Sequence, residues 1–97
     1  AMTLIGHAGE TKSLAYQAMN AAKEGKFDEA EEFMKQSTEE MLKAHELQTD
    51  LIVREAGGEK MEVGLIMVHS QDHLMTAILF KELAKEFIEV YKRLEQK

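Results

Sequence analysis

Residues 68–78 read VHSQDHLMTAI, and within a few positions they hold His69, Gln71, Asp72 and His73 among apolar neighbours. Two histidines four residues apart share one face of a helix. A neutral imidazole is a good nucleophile near pH 7, and a nearby carboxylate can fix its tautomer. The same pair could instead bind a metal. The zinc-protease arrangement needs a glutamate directly after the first histidine, and Ser70 stands there, which argues against that chemistry. One turn of helix therefore groups two imidazoles, a carboxylate and the amide of Gln71.

The apolar residues around this turn follow a helical rhythm. Leu65, Val68, Met75, Leu79, Leu83, Val90 and Leu94 recur mostly at steps of three and four, the spacing of a coiled-coil-like seam. Asp72 occupies the seam position between Val68 and Met75. A buried, unpaired carboxylate costs several kcal/mol, on the order of the penalty for any isolated buried ion. Asp72 must then be exposed, protonated, paired or bound to a cation. If three copies of this helix met around an axis, three Asp72 carboxylates would converge, and close like charges do not all stay ionised unaided. A divalent cation with a taste for hard oxygen ligands, magnesium or calcium, would resolve that repulsion. Spacing leaves two readings open: Asp72 in solvent beside a slightly rotated seam, or Asp72 on such an axis.

The elements that must position these groups are marked by glycine. Gly25, in EGKFDEA, suits the left-handed residue that closes a helix, and Asp28 and Glu29 suit the first turn of the next. Gly57 and Gly58, in REAGGEK, form a natural tight turn. Helices are expected near residues 3–24, 27–55 and 60–95. Short connections make them one antiparallel up-down-up three-helix bundle, all-α, over residues 1–97. In the first helix Gly6 and Gly9 cost stability, while Leu4, Ala8, Ala15, Ala18 and Ala22 form a small apolar face suited to close packing. In the second, Phe27, Ala30, Met34, Met41 and Leu51 or Ile52 fall at helical spacing.

Composition narrows the function classes. The chain has 97 residues, no proline and no cysteine. Without cysteine there is no disulfide framework, thiol nucleophile or thiolate metal site. With 18 acids against 12 bases the net charge is -6, which disfavours nucleic acid and anionic membrane surfaces as partners. No segment reads as a membrane span or a secretory signal, so a cytoplasmic location is expected.

VHSQDHLMTAI closely resembles the active-site helix of the enzyme IIA components of the lactose/chitobiose branch of the bacterial sugar phosphotransferase system, whose pattern there is HAQDHLM. AAKEGKFDEAEE resembles that family's first turn, and KAHELQTDLIVREAGGE its second helix and turn, so the resemblance covers nearly the whole chain. It implies a homotrimer of three-helix subunits, nine helices in all. It implies a phosphoryl relay from the histidine of the phosphocarrier HPr to a cysteine of the IIB component, which works with a membrane IIC component in disaccharide uptake. By motif match His69 is the phosphorylated nucleophile, Asp72 the acid that holds a metal ion, expected to be Mg2+, at the trimer axis, and His73 and Gln71 supporting residues. Ser70 replaces the usual alanine, one small residue for another.

Two other classes compete. AAKEGKFDEAEEFMKQS also resembles the turn of a tetratricopeptide hairpin or a MIT-like domain, which binds peptides and has no use for HSQDH. A histidine-phosphotransfer domain would need a fourth helix. Of the other histidines, His45 is expected at the bundle edge with a hydrogen bond, and His7 as a spectator in a glycine-flanked start. Met34, Met41, Met61, Met67 and Met75 are expected as core filler, DEAEE as a solvated helix face, and KELAKEF as solvent face.

Overall fold

The computed structural model describes residues 2–58 and 65–96, with the side chains of Met2, Leu65 and Ile66 outside the described set. Three helices follow in order: α1 over Met2–Lys23, α2 over Phe27–Ala56 and α3 over Leu65–Glu95. They run up, down and up. α1 packs along both other helices, which touch each other less. The bundle is long and thin, 57 × 19 × 16 Å. The expected start of the third helix near residue 60, and Met61, lie outside the described residues.

The glycine breaks do what their chemistry suggests. Gly25 has φ +81°, and its N–H donates to the Ala22 carbonyl at 3.0 Å while that of Lys26 donates to Ala21 at 2.9 Å. Those bonds satisfy carbonyls that the end of α1 leaves free. At the second break the Gly57 N–H caps Val53 at 3.0 Å, and Gly58 turns the chain with φ +91°.

The core is built mainly from small residues, in two clusters. Leu4, Ala8, Ala44, Leu74 and Ala77 form one, with Leu47 and Ile78 against it. Ala18, Ala21, Ala22, Ala30 and Ile88 form the other, flanked by Phe27, Phe33, Met34 and Tyr91. A polar belt ties α1 to α2. The Ser37 hydroxyl donates to the Thr11 carbonyl at 2.7 Å, Thr11 donates to the His7 carbonyl at 2.8 Å, and His7 Nδ1 lies 2.6 Å from a Glu40 carboxylate oxygen. Being ionised, Glu40 can only accept, so Nδ1 carries the proton. His7 is therefore an inter-helix pin rather than a spectator.

Other expectations need revision. Met75 is exposed rather than core, because its side of α3 faces away from α1 and α2; Met34, Met41 and Met67 are only half-buried. In α2 the inward positions are Ala30, Ser37 and Ala44, and Ile52 points outward. His45 is exposed and makes no side-chain hydrogen bond among the described residues. Lys81 is buried, although KELAKEF otherwise reads as solvent face; its stem lines the groove between α2 and α3 with Met34 and Ile88, as a long aliphatic chain can. Among the described residues no helix is long and apolar enough to cross a membrane.

Candidate functional site

Ser70, Leu74, Ala77, Lys81, Ala84 and Ile88 bury the inner face of α3. On the opposite face Val68, Met75, Leu79, Leu83, Phe87, Val90 and Leu94 are each 50% exposed or more. The seam read from the sequence is real, and it points away from the bundle. Asp72 lies on it and is exposed. Among the described residues of one chain, no three His, Asp or Glu side chains come together as a metal site. A single exposed carboxylate suits a hard cation only where further oxygens join it.

The two imidazoles do come together. His69 is exposed and His73 half-buried, with ring centroids 5.6 Å apart and planes 18° from parallel. Helix periodicity creates this stack, and α1 sets its depth. A Cβ built on Gly9 would lie 3.4 Å from His73 Nε2, so the absent side chain lets the edge of the ring sit against the α1 backbone. The pKa of His73 is pushed below its ordinary value, first by burial and then by the charges of Lys12 and His69. Protonation of His73 is thus disfavoured in the unphosphorylated protein.

Gln71 stands apart from this pair. At about 3.6 residues per turn, His69 and Gln71 fall on opposite flanks of α3 with Asp72 between them. The His73 flank meets α1, and the Gln71 flank meets α2, where the Gln48 amide donates to the Gln71 side-chain oxygen. With that oxygen occupied, the Gln71 NH2 group is free to donate elsewhere. Ser70 is buried and donates to the Met67 carbonyl at 2.8 Å, so it is a helix-internal hydroxyl. Thr76 donates back to the carbonyls of Asp72 and His73, both at 3.1 Å.

Gln48, Gly9 and Lys12 escaped the sequence reading. Gln48 carried a detectable signal: it follows the buried Ala44 by four residues, so it is a polar group at an inward position. Gly9 was visible only as a cost to helix stability.

The family profile described as "PTS system, Lactose/Cellobiose specific IIA subunit" matches residues 1–92. The chain belongs to this family. Among IIA relatives, the galactose-specific EIIA component of Lactococcus lactis is 49% identical over 94 residues, 97% of this chain and 81% of that protein. The crystal structure of a cellobiose-specific enzyme IIA from Bacillus anthracis superposes with a TM-score of 0.97 at 49% identity, covering 99% of this chain and 88% of that one. The IIA(chitobiose) structure in the Escherichia coli IIA(chitobiose)–HPr complex gives a TM-score of 0.85 at 46% identity, covering 97% and 91%. Membership of the IIA family answers the tetratricopeptide, MIT-like and histidine-phosphotransfer alternatives, and the one turn shared with hairpin modules reflects helix-turn chemistry alone.

Proposed function

We propose that this IIA chain is a phosphoryl carrier, taking phosphate from phospho-HPr on His69 and passing it to the IIB cysteine in disaccharide uptake with the membrane IIC component. The observation that carries the reading is an exposed imidazole stacked on a second, half-buried one of the same helix. It is supported by the solved complex of a similar IIA protein with HPr.

In the first step the N–P bond to the donor imidazole breaks while an N–P bond forms to an unprotonated ring nitrogen of His69. The donor nitrogen recovers its lone pair, and no water enters. In the second step a IIB thiolate attacks the same phosphorus, an S–P bond forms, and His69 recovers its lone pair. Both steps rest on in-line positioning and charge stabilisation, with little covalent work for other side chains. His69 is the fifth residue of α3 as described from Leu65. His73 can hold the His69 ring by stacking.

The reading includes a homotrimer. Seven large apolar side chains stay half-exposed on the outer face of α3, and a soluble chain rarely leaves so continuous a stripe uncovered. Around a three-fold axis built on that stripe, the Asp72 carboxylates would converge and hold a divalent ion, for which magnesium suits the oxygen donors; the ion would offset their mutual repulsion. In the same arrangement the two flanks of α3 would face different neighbours, so the free NH2 of Gln71 could serve the His69 of an adjacent copy.

The test is incubation with phosphoenolpyruvate, enzyme I and HPr, followed by intact mass. One acid-labile phosphate is expected per wild-type chain, with none on His69→Ala. A wild type that stays unmodified, or a His69→Ala protein that is modified equally, overturns the reading.

A further inference from the structure

The loose contact between α2 and α3 leaves a groove at the end of the bundle remote from His69. It encloses about 340 Å³ between apolar walls from Met34 and Ile88, and four lysines line it: Lys35 from α2, and Lys81, Lys85 and Lys92 from α3. That volume is at the lower end of the range for small-molecule pockets, about 300–1,000 Å³. Four cations in one groove run against the net charge of -6.

Two carboxylates also line the groove, Glu31 and Glu89. Both stand beside Lys92, at 3.6 and 3.8 Å, which leaves the other three lysines uncompensated there. Lys35 and Lys85 are exposed and form no ion pair among the described residues. Lys81 and Lys85 are one turn apart on the same side of α3, where like charges repel. Lys81 decides the matter. Its side chain is only 9% exposed, and its nearest carboxylate oxygen, on Glu82, is 3.7 Å away, beyond hydrogen-bond distance. A lysine that merely covers apolar surface keeps its ammonium in water, whereas this one is withdrawn almost entirely. An unpaired charge so placed is costly. In a row that otherwise buries Leu74, Ala77, Ala84 and Ile88, leucine or methionine would fill the position without that cost.

We infer that this groove binds a small organic phosphate, its phosphoryl group between Lys35, Lys81 and Lys85 and its body against Met34 and Ile88. A carboxylate brings one charge and two oxygens. A phosphate monoester brings about two charges and three terminal oxygens, one for each ammonium, and lysine is a common partner for phosphate. Lys81 follows His69 by twelve residues, about 18 Å along the helix, so binding here needs no phosphoryl transfer at His69.

Calorimetry and amide NMR titration with phenyl phosphate, inorganic phosphate and phenol provide the test. Phenyl phosphate is expected to saturate at one molecule per chain and to shift the amides of Lys35, Lys81 and Lys85 while leaving those of His69 and His73 in place. Inorganic phosphate should shift the same amides at higher concentration, and phenol should not. Lys81→Met, which keeps most of the stem, is expected to weaken phenyl phosphate binding roughly ten-fold, the size of one charge-assisted contact. A comparable loss is expected when Lys35→Gln and Lys85→Gln are combined; both residues are exposed, so this variant reports on the groove whatever Lys81→Met does to packing. His69→Ala should bind as wild type does. Absence of saturable binding at millimolar phenyl phosphate overturns the proposal, as does wild-type affinity in either lysine variant, or phenol binding as tightly as phenyl phosphate. Groove amides that respond only in a protein made monomeric by Leu79→Lys and Leu83→Lys would show that a second copy covers the groove, and overturn it too.

Discussion

On its inner face α3 presents small or slender groups, with Ala77 and Ala84 close against α1 and only Leu74 and Ile88 as large buried side chains. On its outer face it carries leucines, valines, a methionine and a phenylalanine that remain half in water. The inward side contains less apolar area than the outward one. Small residues let helices approach closely, but each contributes little transfer free energy, since burial scales with area at about 25 cal/mol per Å². A thin bundle of this length has few other sources of stability. The contrast teaches that the intramolecular contacts set the shape and the distance between helices, while the larger reserve of hydrophobic energy is held on a face that one chain cannot cover.

The strongest way to break that contrast is to make the outer face polar. Replacing Leu79 and Leu83 by lysine leaves the inner packing untouched, since both side chains are at least half exposed in the single chain. Covering a leucine fully is worth about 1.5–3 kcal/mol, so covering half of one is worth roughly 1 kcal/mol per residue per copy. The double variant is expected to sediment as a monomer and to melt well below the wild type. A variant that keeps the wild-type mass in solution and the same melting temperature would mean that the stripe is a solvated surface.

The two faces also differ in how far they could be read from the sequence. Steps of three and four residues from Val68 to Leu94 identified a stripe, because large apolar groups contrast strongly with their neighbours. Periodicity says that such residues share a face and is silent on what meets it, so Met75 was expected in the core although it lies outside. The inner face was harder to read, since Ala, Ser and Thr are common on both sides of a helix; Ser37 and Thr11 gave no sign of their buried contact. Helix ends were legible because Gly25, Gly57 and Gly58 have a local conformational job. The pairs His7–Glu40 and Gln48–Gln71 join residues 33 and 23 positions apart, and spacing within one helix contains nothing about them. The candidate site divides the same way. His69 and His73 meet by periodicity within one helix, whereas the depth of His73 depends on Gly9 of another.

A smaller effect tests the polar belt of the inner contact. The carboxyl of Glu40 is held below its ordinary pKa, chiefly by the hydrogen bond from His7 and also by Lys43, against some opposition from burial. A lowered folded-state pKa contributes stability that is present above the unfolded value and is lost as pH falls through the folded one. Glu40→Gln should therefore destabilise the bundle by on the order of 1 kcal/mol at pH 7. The gap from wild type should close as the pH falls through the acid range where Glu40 protonates. Thermal melts at a series of pH values measure this directly, and a gap that stays constant into strong acid would assign the effect to shape instead of charge.

The smallest expected effect belongs to Asp72, the one acid within the outer stripe. If the copies meet on that stripe, Asp72 makes their contact dependent on a cation, and its replacement by leucine exchanges an ionic cluster for packing. Such exchanges are often neutral or stabilising, because the desolvation of charges offsets much of their attraction. Asp72→Leu should then assemble as well as wild type, with a melting temperature close to the wild-type value in magnesium and indifferent to EDTA, while the wild type loses stability when the ion is removed. Phosphorylation of His69 should persist, since Asp72 points along the stripe and the imidazole pair lies on its flank. If Asp72→Leu falls apart into monomers, the outer face cannot be held by hydrophobic contact at this level of α3, and the contrast between an energetic outer face and a shape-setting inner one would have to be confined to the stretch from Met75 to Leu94.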